Sequence, residues 1–265
     1  MTAFAEKVVL VTGGSSGIGR AAARAFAKEG ATVVIAARTP ERGEAVAREI
    51  QDSGGVARFI ACDVSRSEDV ERLVAETVAA YGRLDCAFNN AATIDGAFKM
   101  VADFSEVEFD RALANNLKGV WLCMRQEILQ MIAQSPGGGA IVNTSSLNGL
   151  GGAAQAALYS AAKAGVLALT KSAAQEYATA GIRVNALVAG AFRTPMLEGV
   201  WHTAAGGDPE GAKAVEERYA SMIPMRRIGA PEEAATAVLW LCSDAASYLT
   251  GHSLIVDGGW SAPLR

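Results

Sequence analysis

A doubly wound α/β fold, with one parallel sheet of seven strands and helices on both faces, is what the sequence predicts, on three observations. Short β-branched apolar runs alternate with alanine-rich stretches of helical length along the chain. The apolar runs lack the in/out alternation of half-buried strands, so they suit a sheet buried on both faces. The composition agrees: 51 % of the 265 residues are hydrophobic, 20 % are charged and 28 are glycine. That excludes a disordered chain and, without a three-residue glycine period, a collagen.

Lys7 to Thr12 (KVVLVT) is the first strand, and it runs into a glycine-rich turn and a helical pattern from Ile18 to Glu29 stopped by Gly30. The rhythm repeats through a strand at Thr32 to Ala37, a helix at Pro40 to Ser53, a strand at Val56 to Ala61, a helix at Ser67 to Tyr81 and a strand at Leu84 to Phe88. One long helix is expected from Ser105 to Ala133, then a strand at Ala140 to Thr144, a helix from Ala156 to Thr179 and a strand at Arg183 to Leu187. A helix at Pro231 to Ser243 and a strand at Ser253 to Val256 complete the set. No linker breaks the rhythm, so residues 1–265 are expected to form a single domain. The one irregular stretch, Pro195 to Ile223, carries GGDPEG at Gly206 to Gly211 and suits an inserted lid over a site.

Several function classes are disfavoured. With 24 basic residues against 28 acidic ones and no basic run, a nucleic-acid partner is not expected. The opening MTAFAEKVVLVTGG has too short an apolar core for a secretory signal, and no stretch has the apolar length of a membrane span. A cytoplasmic protein without a membrane partner is expected. Cys62, Cys86, Cys123 and Cys242 are scattered through apolar segments without a CxxC pair, as buried thiols in a reducing compartment are. His202 and His252 alone give almost no material for a zinc site or a Ser/His/Asp triad.

The first strand ends in Thr12-Gly13-Gly14-Ser15-Ser16-Gly17-Ile18-Gly19. In such a turn Gly13 can take a positive φ, Gly17 lets bare backbone approach a pyrophosphate, Gly19 lets the helix pack closely, and the helix N-terminus faces the anion. The spacing is GxxxGxG, not GxGxxG, and its place between strand and helix is what makes it a dinucleotide signal. At the end of the second strand, where an acidic residue would hold a ribose 2′-hydroxyl and select NAD, the run reads Ile35-Ala36-Ala37-Arg38. Ala37 offers no carboxylate to repel a 2′-phosphate and Arg38 presents a planar fork to one, so NADP(H) is expected over NAD(H). NAD(H) stays open, with Arg38 stacked on adenine.

Strand five leads into Asn143-Thr144-Ser145-Ser146-Leu147-Asn148-Gly149, followed by Tyr159-Ser160-Ala161-Ala162-Lys163. Tyr159 and Lys163 are one helical turn apart and share a face. A phenol ionises near pH 10, yet an adjacent ammonium and an oxidised nicotinamide ring favour the phenolate, which gives a usable general acid/base. On spacing alone, the same pair also fits an ordinary solvated helix face.

Together these segments resemble the classical short-chain dehydrogenase/reductase family over almost the whole chain. The resemblance rests on TGGSSGIG at 12–19, Asp63-Val64, Asn89-Asn90-Ala91-Ala92, Asn116 within NNLKG, SSLNG, YSAAK, IRVNALVAG at 182–190, Thr194 and Asp257-Gly258-Gly259. It implies a Rossmann-type oxidoreductase passing hydride between nicotinamide C4 and a carbinol carbon, with no metal. Tyr159 would be the acid/base and Ser146 would orient the substrate oxygen. Lys163 would hold the nicotinamide ribose and depress the Tyr159 pKa, and Asn116 would support Lys163 through a water. For the cofactor, the resemblance implies Gly13, Ser15, Ser16, Gly17, Ile18 and Gly19 at the pyrophosphate turn and Asp63 and Val64 at the adenine. It adds Asn90, Ala91 and Ala92 beside the central ribose, and Gly190 and Thr194 on the carboxamide side. The family usually has Pro-Gly where this chain has Ala189-Gly190, and NNAG where it has Asn89-Asn90-Ala91-Ala92. A homotetramer or homodimer is also implied, and the alanines Ala161, Ala162, Ala164, Ala168, Ala173 and Ala174 would let one helix approach a symmetry mate.

Ile94, Phe98, Met100, Leu147, Leu150, Met196, Leu197, Val200, Trp201, Tyr219 and Met222 are expected on the substrate side, which suits a neutral, largely apolar ketone or secondary alcohol. Lys99 and Arg193 are the basic residues able to anchor a carboxylate instead, and His202 is expected on the lid surface. An NAD-dependent secondary alcohol dehydrogenase is the alternative within the same chemistry. A catalytically silent cofactor-binding sensor or scaffold is the alternative of another class. A hydrolase built on Ser146 would lack both a GxSxG elbow and a suitable histidine.

Overall fold

The computed structural model describes residues 3–262. Its strands are β1 (Val8–Thr12), β2 (Thr32–Ala37), β3 (Val56–Ala61), β4 (Cys86–Asn89), β5 (Gly139–Ser146), β6 (Ile182–Ala189) and β7 (Ser253–Val256). They form one parallel seven-stranded sheet in the order β3-β2-β1-β4-β5-β6-β7. The α-helices are α1 (Gly17–Lys28), α2 (Pro40–Asp52), α3 (Ser67–Tyr81), α4 (Glu106–Leu113), α5 (Gly119–Ala133), α6 (Ala157–Tyr177), α7 (Pro195–Ala204), α8 (Pro209–Met222) and α9 (Pro231–Cys242).

Each strand is apolar on both faces because each face meets helices. Val9, Val11, Val33 and Ile35 pack with Phe26 of α1, Ile50 of α2 and Leu241 of α9. Leu10 and Val34 face the other way, onto Leu73 of α3, Met131 of α5 and Ala173 of α6. Withdrawing one such aliphatic or aromatic side chain from water contributes roughly 1.5–3 kcal/mol, which is why the strands read as uninterrupted hydrophobic runs. β1 lies between β2 and β4, so successive crossovers leave it in opposite directions and a crevice opens beyond the carboxyl ends of the strands.

Two expectations are corrected. The helix expected from Ser105 to Ala133 is interrupted: α4 passes through a π-helical turn at Ala114–Lys118 before α5 begins. Apolar periodicity continues across the break and hides it, but two asparagines compete for the backbone. Asn115 Nδ2 donates to Arg111 O at 3.1 Å, and the Asn116 side chain is drawn out to the loop after β4. The stretch expected to be irregular, Pro195 to Ile223, is α7 and α8 joined by a short turn. Thr194 caps α7 by accepting from Leu197 N at 3.3 Å, Asp208 caps α8 by accepting from Gly211 N at 2.8 Å, and a proline follows each cap.

Strands β4, β5 and β6 also run past their expected ends, to Asn89, Ser146 and Ala189, so residues beside the crevice are held by the sheet ladder. Among the described residues no helix is long and apolar enough to cross a membrane.

Candidate active site

The turn after β1 is built for close approach. Gly17 has φ +51, and a Cβ there would stand 3.0 Å from Thr194 Cγ2. A Cβ on Gly19 would come within 2.3 Å of Gly13 O, so only glycine lets α1 start this close to the turn. Thr12 Oγ1 accepts from Asn90 N at 3.1 Å and Ala91 N at 3.2 Å, and Asn90 Nδ2 donates to Gly13 O at 3.4 Å. These bonds tie the turn to the end of β4. Ser16, the residue before α1, makes no side-chain cap, so the first N–H groups of the helix face the crevice free. Bare glycine backbone and an uncapped helix N-terminus together fit a dinucleotide pyrophosphate.

A single cleft of about 1350 Å³ links this turn to the catalytic candidates. Gly13, Ser15, Ser16, Gly17, Ile18, Arg38, Asp63, Val64, Asn90, Ala91, Ala92, Ser146, Tyr159, Lys163, Gly190 and Thr194 all line it. Gly19 does not: it is buried beneath the turn, where it shapes the site without facing a ligand. Asn116 does not either, being fully buried in the π-helical turn with its side chain committed to Thr93. Ala189, in the position the family usually gives to proline, pairs with Ser146 on one side and Val256 on the other, so the ladder fixes its backbone.

At the inner end of the cleft Ser146 closes β5, and its Oγ accepts from Asn148 N at 3.3 Å. Tyr159 and Lys163 stand on the first turns of α6, with Lys163 Nζ 5.7 Å from the Tyr159 ring centre. Lys163 is 1 % exposed and donates to Thr144 O at 2.9 Å. Burial pulls its ammonium down to about 8. Burial also pushes the Tyr159 phenol up to about 12, against a hydrogen bond from Ser146 that lowers it. Desolvation thus favours the neutral phenol, the protonation state of a general acid.

Beneath this site lies a polar cluster that the sequence reading did not identify. Glu127 of α5 is fully buried, and its Oε2 accepts from Asn89 Nδ2 at 2.8 Å. Asn89 Nδ2 also donates to Asn143 Oδ1, and Asn143 Nδ2 to Thr170 Oγ1, both at 3.0 Å. Burial raises the Glu127 carboxyl to about 8. The folded protein therefore holds a proton there that the unfolded chain releases near its ordinary carboxylate value. That contribution to stability is present at acid pH and lost as pH rises through about 8. Glu127→Gln, a neutral isostere, is expected to come close to the parent's stability at pH 5 and to exceed it at pH 9 by several kcal/mol, at about 1.4 kcal/mol for each pKa unit. Thermal unfolding of both proteins at the two pH values measures this, and a difference independent of pH would refute it.

The substrate wall is mostly as expected: Ile94, Phe98, Leu147, Leu150, Met196, Leu197, Val200, Tyr219 and Met222 line the cleft. Met100 does not, and is 59 % exposed. Trp201 is buried behind the wall, edge-on to Tyr219 at 6.3 Å, while Trp260, missed in the sequence, packs on the same tyrosine at 5.7 Å and reaches the cleft. Lys99 pairs with Glu108 at 2.6 Å and Arg193 with Glu216, so both cations considered as carboxylate anchors are already matched. Two further arginines were missed. Arg42 joins Arg38 at the outer end of the cleft, and Arg218 of α8 lies exposed on the lining at the substrate end. No group of three or more His, Cys, Asp or Glu able to hold a metal occurs among the described residues.

Comparison with known proteins agrees with this geometry. A family model described as enoyl-(acyl carrier protein) reductase matches residues 13–261. The chain is 44 % identical over 263 residues to 2,5-dichloro-2,5-cyclohexadiene-1,4-diol dehydrogenase of Sphingobium indicum, covering 99 % of this chain and all of the relative. It is 41 % identical to cis-4-hydroxycyclohexanecarboxylate dehydrogenase of Sinomonas cyclohexanicum, covering 98 % of each. The crystal structure of levodione reductase superposes with a TM-score of 0.93 at 36 % identity, covering 98 % of this chain and all of that one. The chain therefore belongs to the classical short-chain dehydrogenase/reductase family, NAD(P)-linked oxidoreductases of alcohol and carbonyl groups.

Proposed function

We propose that the protein is an NADP(H)-dependent reductase of a neutral, largely apolar ketone, working through Tyr159, Ser146 and Lys163. The observation that carries this reading is one cleft with a pyrophosphate turn at one end and Ser146, Tyr159 and Lys163 at the other, walled by apolar side chains. The bound nicotinamide supplies the hydride in reduction and accepts it in oxidation. Ser146 Oγ orients the substrate oxygen, the Tyr159 hydroxyl gives that oxygen its proton, and the Lys163 ammonium holds the ribose and steadies the phenolate left behind. Gly13, Ser16, Gly17 and Ile18 hold the pyrophosphate, and Asp63 and Val64 hold the adenine. The pair α7 and α8 forms a lid over the substrate.

A cyclic substrate is favoured by the aromatic and aliphatic wall of Phe98, Leu150, Val200 and Tyr219, and by two relatives whose names specify six-membered carbocycles bearing hydroxyl groups. Arg38 and Arg42, facing the cleft without an ion pair among the described residues, favour a cofactor with a 2′-phosphate. The apolar groove of Leu113, Leu117, Trp121, Gly165, Ala168 and Leu169 favours a second copy of the chain as its occupant. The test is kcat/KM for a panel of cyclic ketones and alcohols with each cofactor, with the molar mass of the same preparation read by light scattering. A preference for NADH overturns the cofactor assignment, no turnover of any cyclic ketone overturns the reading as a cyclic-ketone reductase, and a monomer overturns the assembly.

A further inference from the structure

The loop from Thr93 to Gly96, after β4, touches both helices that frame the proposed site. Thr93 N donates to Asn116 Oδ1 at 3.0 Å, and Asn116 Nδ2 donates to Thr93 Oγ1 at 3.4 Å. The amide of Asn116, buried in the π-helical turn, is thus gripped at both ends by one residue. The Thr93 hydroxyl has a single proton, and it goes to Asp95 Oδ2 at 2.7 Å. Oγ1 therefore presents only lone pairs to Asn116, which fixes which end of the amide lies where. Asp95 is itself held by Arg111 Nε at 3.0 Å, on the helix that runs directly into the π-helical turn. One residue farther on, Gly96 O accepts from Tyr159 N at 3.3 Å. A Cβ on Gly96 would lie 2.8 Å from Tyr159 N, so loop and α6 are in direct apposition.

We propose that Asp95 and Thr93 are positioning residues for the reaction: the chain Arg111–Asp95–Thr93–Asn116 sets the π-helical turn, and the same loop carries that setting to Tyr159. The Asp95–Arg111 pair lies at the surface, with the Arg111 side chain 58 % exposed, and an exposed pair of this kind adds little to stability. What it supplies is a fixed hydroxyl direction at Thr93. Thr93 is also part of the cleft lining, so a loosened loop disturbs the cavity where substrate oxygen and phenol must meet.

The proposal rests on the reading of Tyr159 as the acid/base, and the experiment separates the two. Thr93→Val and Asp95→Ala are expected to lower kcat by about tenfold or more on the best ketone of the panel, with KM and NADPH affinity by fluorescence titration within about twofold. Thr93→Ser and Asp95→Asn, which keep a hydroxyl and an acceptor oxygen, are expected to retain at least about half of the parental kcat. Unchanged kcat in Thr93→Val and Asp95→Ala overturns the proposal. So does equal impairment of Asp95→Asn and Asp95→Ala, which assigns the effect to charge, and so does a loss confined to KM. Full turnover by Tyr159→Phe, run in parallel, overturns instead the acid/base reading on which it stands.

Discussion

Replacing Tyr159 by phenylalanine is expected to lower kcat by about a thousandfold or more while leaving NADPH affinity within about twofold. Of the proton-bearing groups around Ser146 among the described residues, the phenol hydroxyl, which is hydrogen-bonded to that serine, suits the task best. The serine hydroxyl is far too weak an acid, and the Lys163 ammonium is directed at Thr144 O at 2.9 Å. Removing one oxygen atom leaves the aromatic packing and the pyrophosphate turn untouched, so a loss of turnover without a loss of binding isolates the proton step. A sensor or scaffold would show no turnover for the substitution to abolish, and retained turnover would remove Tyr159 from the chemistry. The pH dependence follows from the same environment. With the phenol pushed up to about 12 and the ammonium pulled down to about 8, the proton donor needed for ketone reduction is in place across neutral pH. Alcohol oxidation needs the phenolate, so its rate is expected to climb toward alkaline pH while reduction does not.

Much of this site was legible because its residues are tied to backbone features that leave a local trace. A strand covered on both faces must be apolar throughout, and a turn that passes under a helix start must carry glycine at 17 and 19. The seven parallel strands followed from those traces, whereas their order came only with the structure, and the joint roles of Ser146, Tyr159 and Lys163 rested on the family resemblance, since spacing alone also fitted a solvated helix face. Other features left a trace that was outweighed. Thr194-Pro195 and Asp208-Pro209 are helix-start signals, but the glycines between them read as loop. Glu127 falls on the buried stripe of α5 with Val120, Met124 and Met131, which marks a carboxylate in an apolar face. The π-helical turn was hidden, because the hydrogen bonds that draw Asn116 outward come from Thr93, far away in sequence. Trp201 and Trp260 show the same limit: which aromatic reaches the cleft depends on how α8 sits on the chain end, and no local period encodes that.

Converting the end of β2 to an acidic one is expected to invert the cofactor preference. In Ala37→Asp/Arg38→Leu, the ratio of kcat/KM with NADPH to that with NADH is expected to fall by roughly a hundredfold to ten-thousandfold. Ala37 is the last residue of β2, in register with Ala61 of β3, and it lines the cleft beside Arg38 and Arg42. Gly14 N donates to Ala36 O at 3.3 Å, which holds this strand end against the glycine-rich turn, so that residue 37 would meet the adenosine ribose of a dinucleotide bound there. A charge-assisted bond from arginine to phosphate contributes roughly 1.5–3 kcal/mol, about ten- to more than a hundredfold, and its loss falls on NADPH alone. A carboxylate at 37 then repels a 2′-phosphate and accepts from a 2′-hydroxyl, which favours NADH in the same step. Arg42 remains in the double variant, so residual NADPH activity is expected to weaken further with Arg42→Ala. Salt distinguishes the causes: exposed guanidinium–phosphate attraction is screened within about 8 Å at physiological ionic strength. Added salt should therefore raise the parent's KM for NADPH more than its KM for NADH. A ratio unchanged in the double variant would mean that Arg38 does not meet the cofactor, and one still unchanged after Arg42→Ala would mean the same of Arg42.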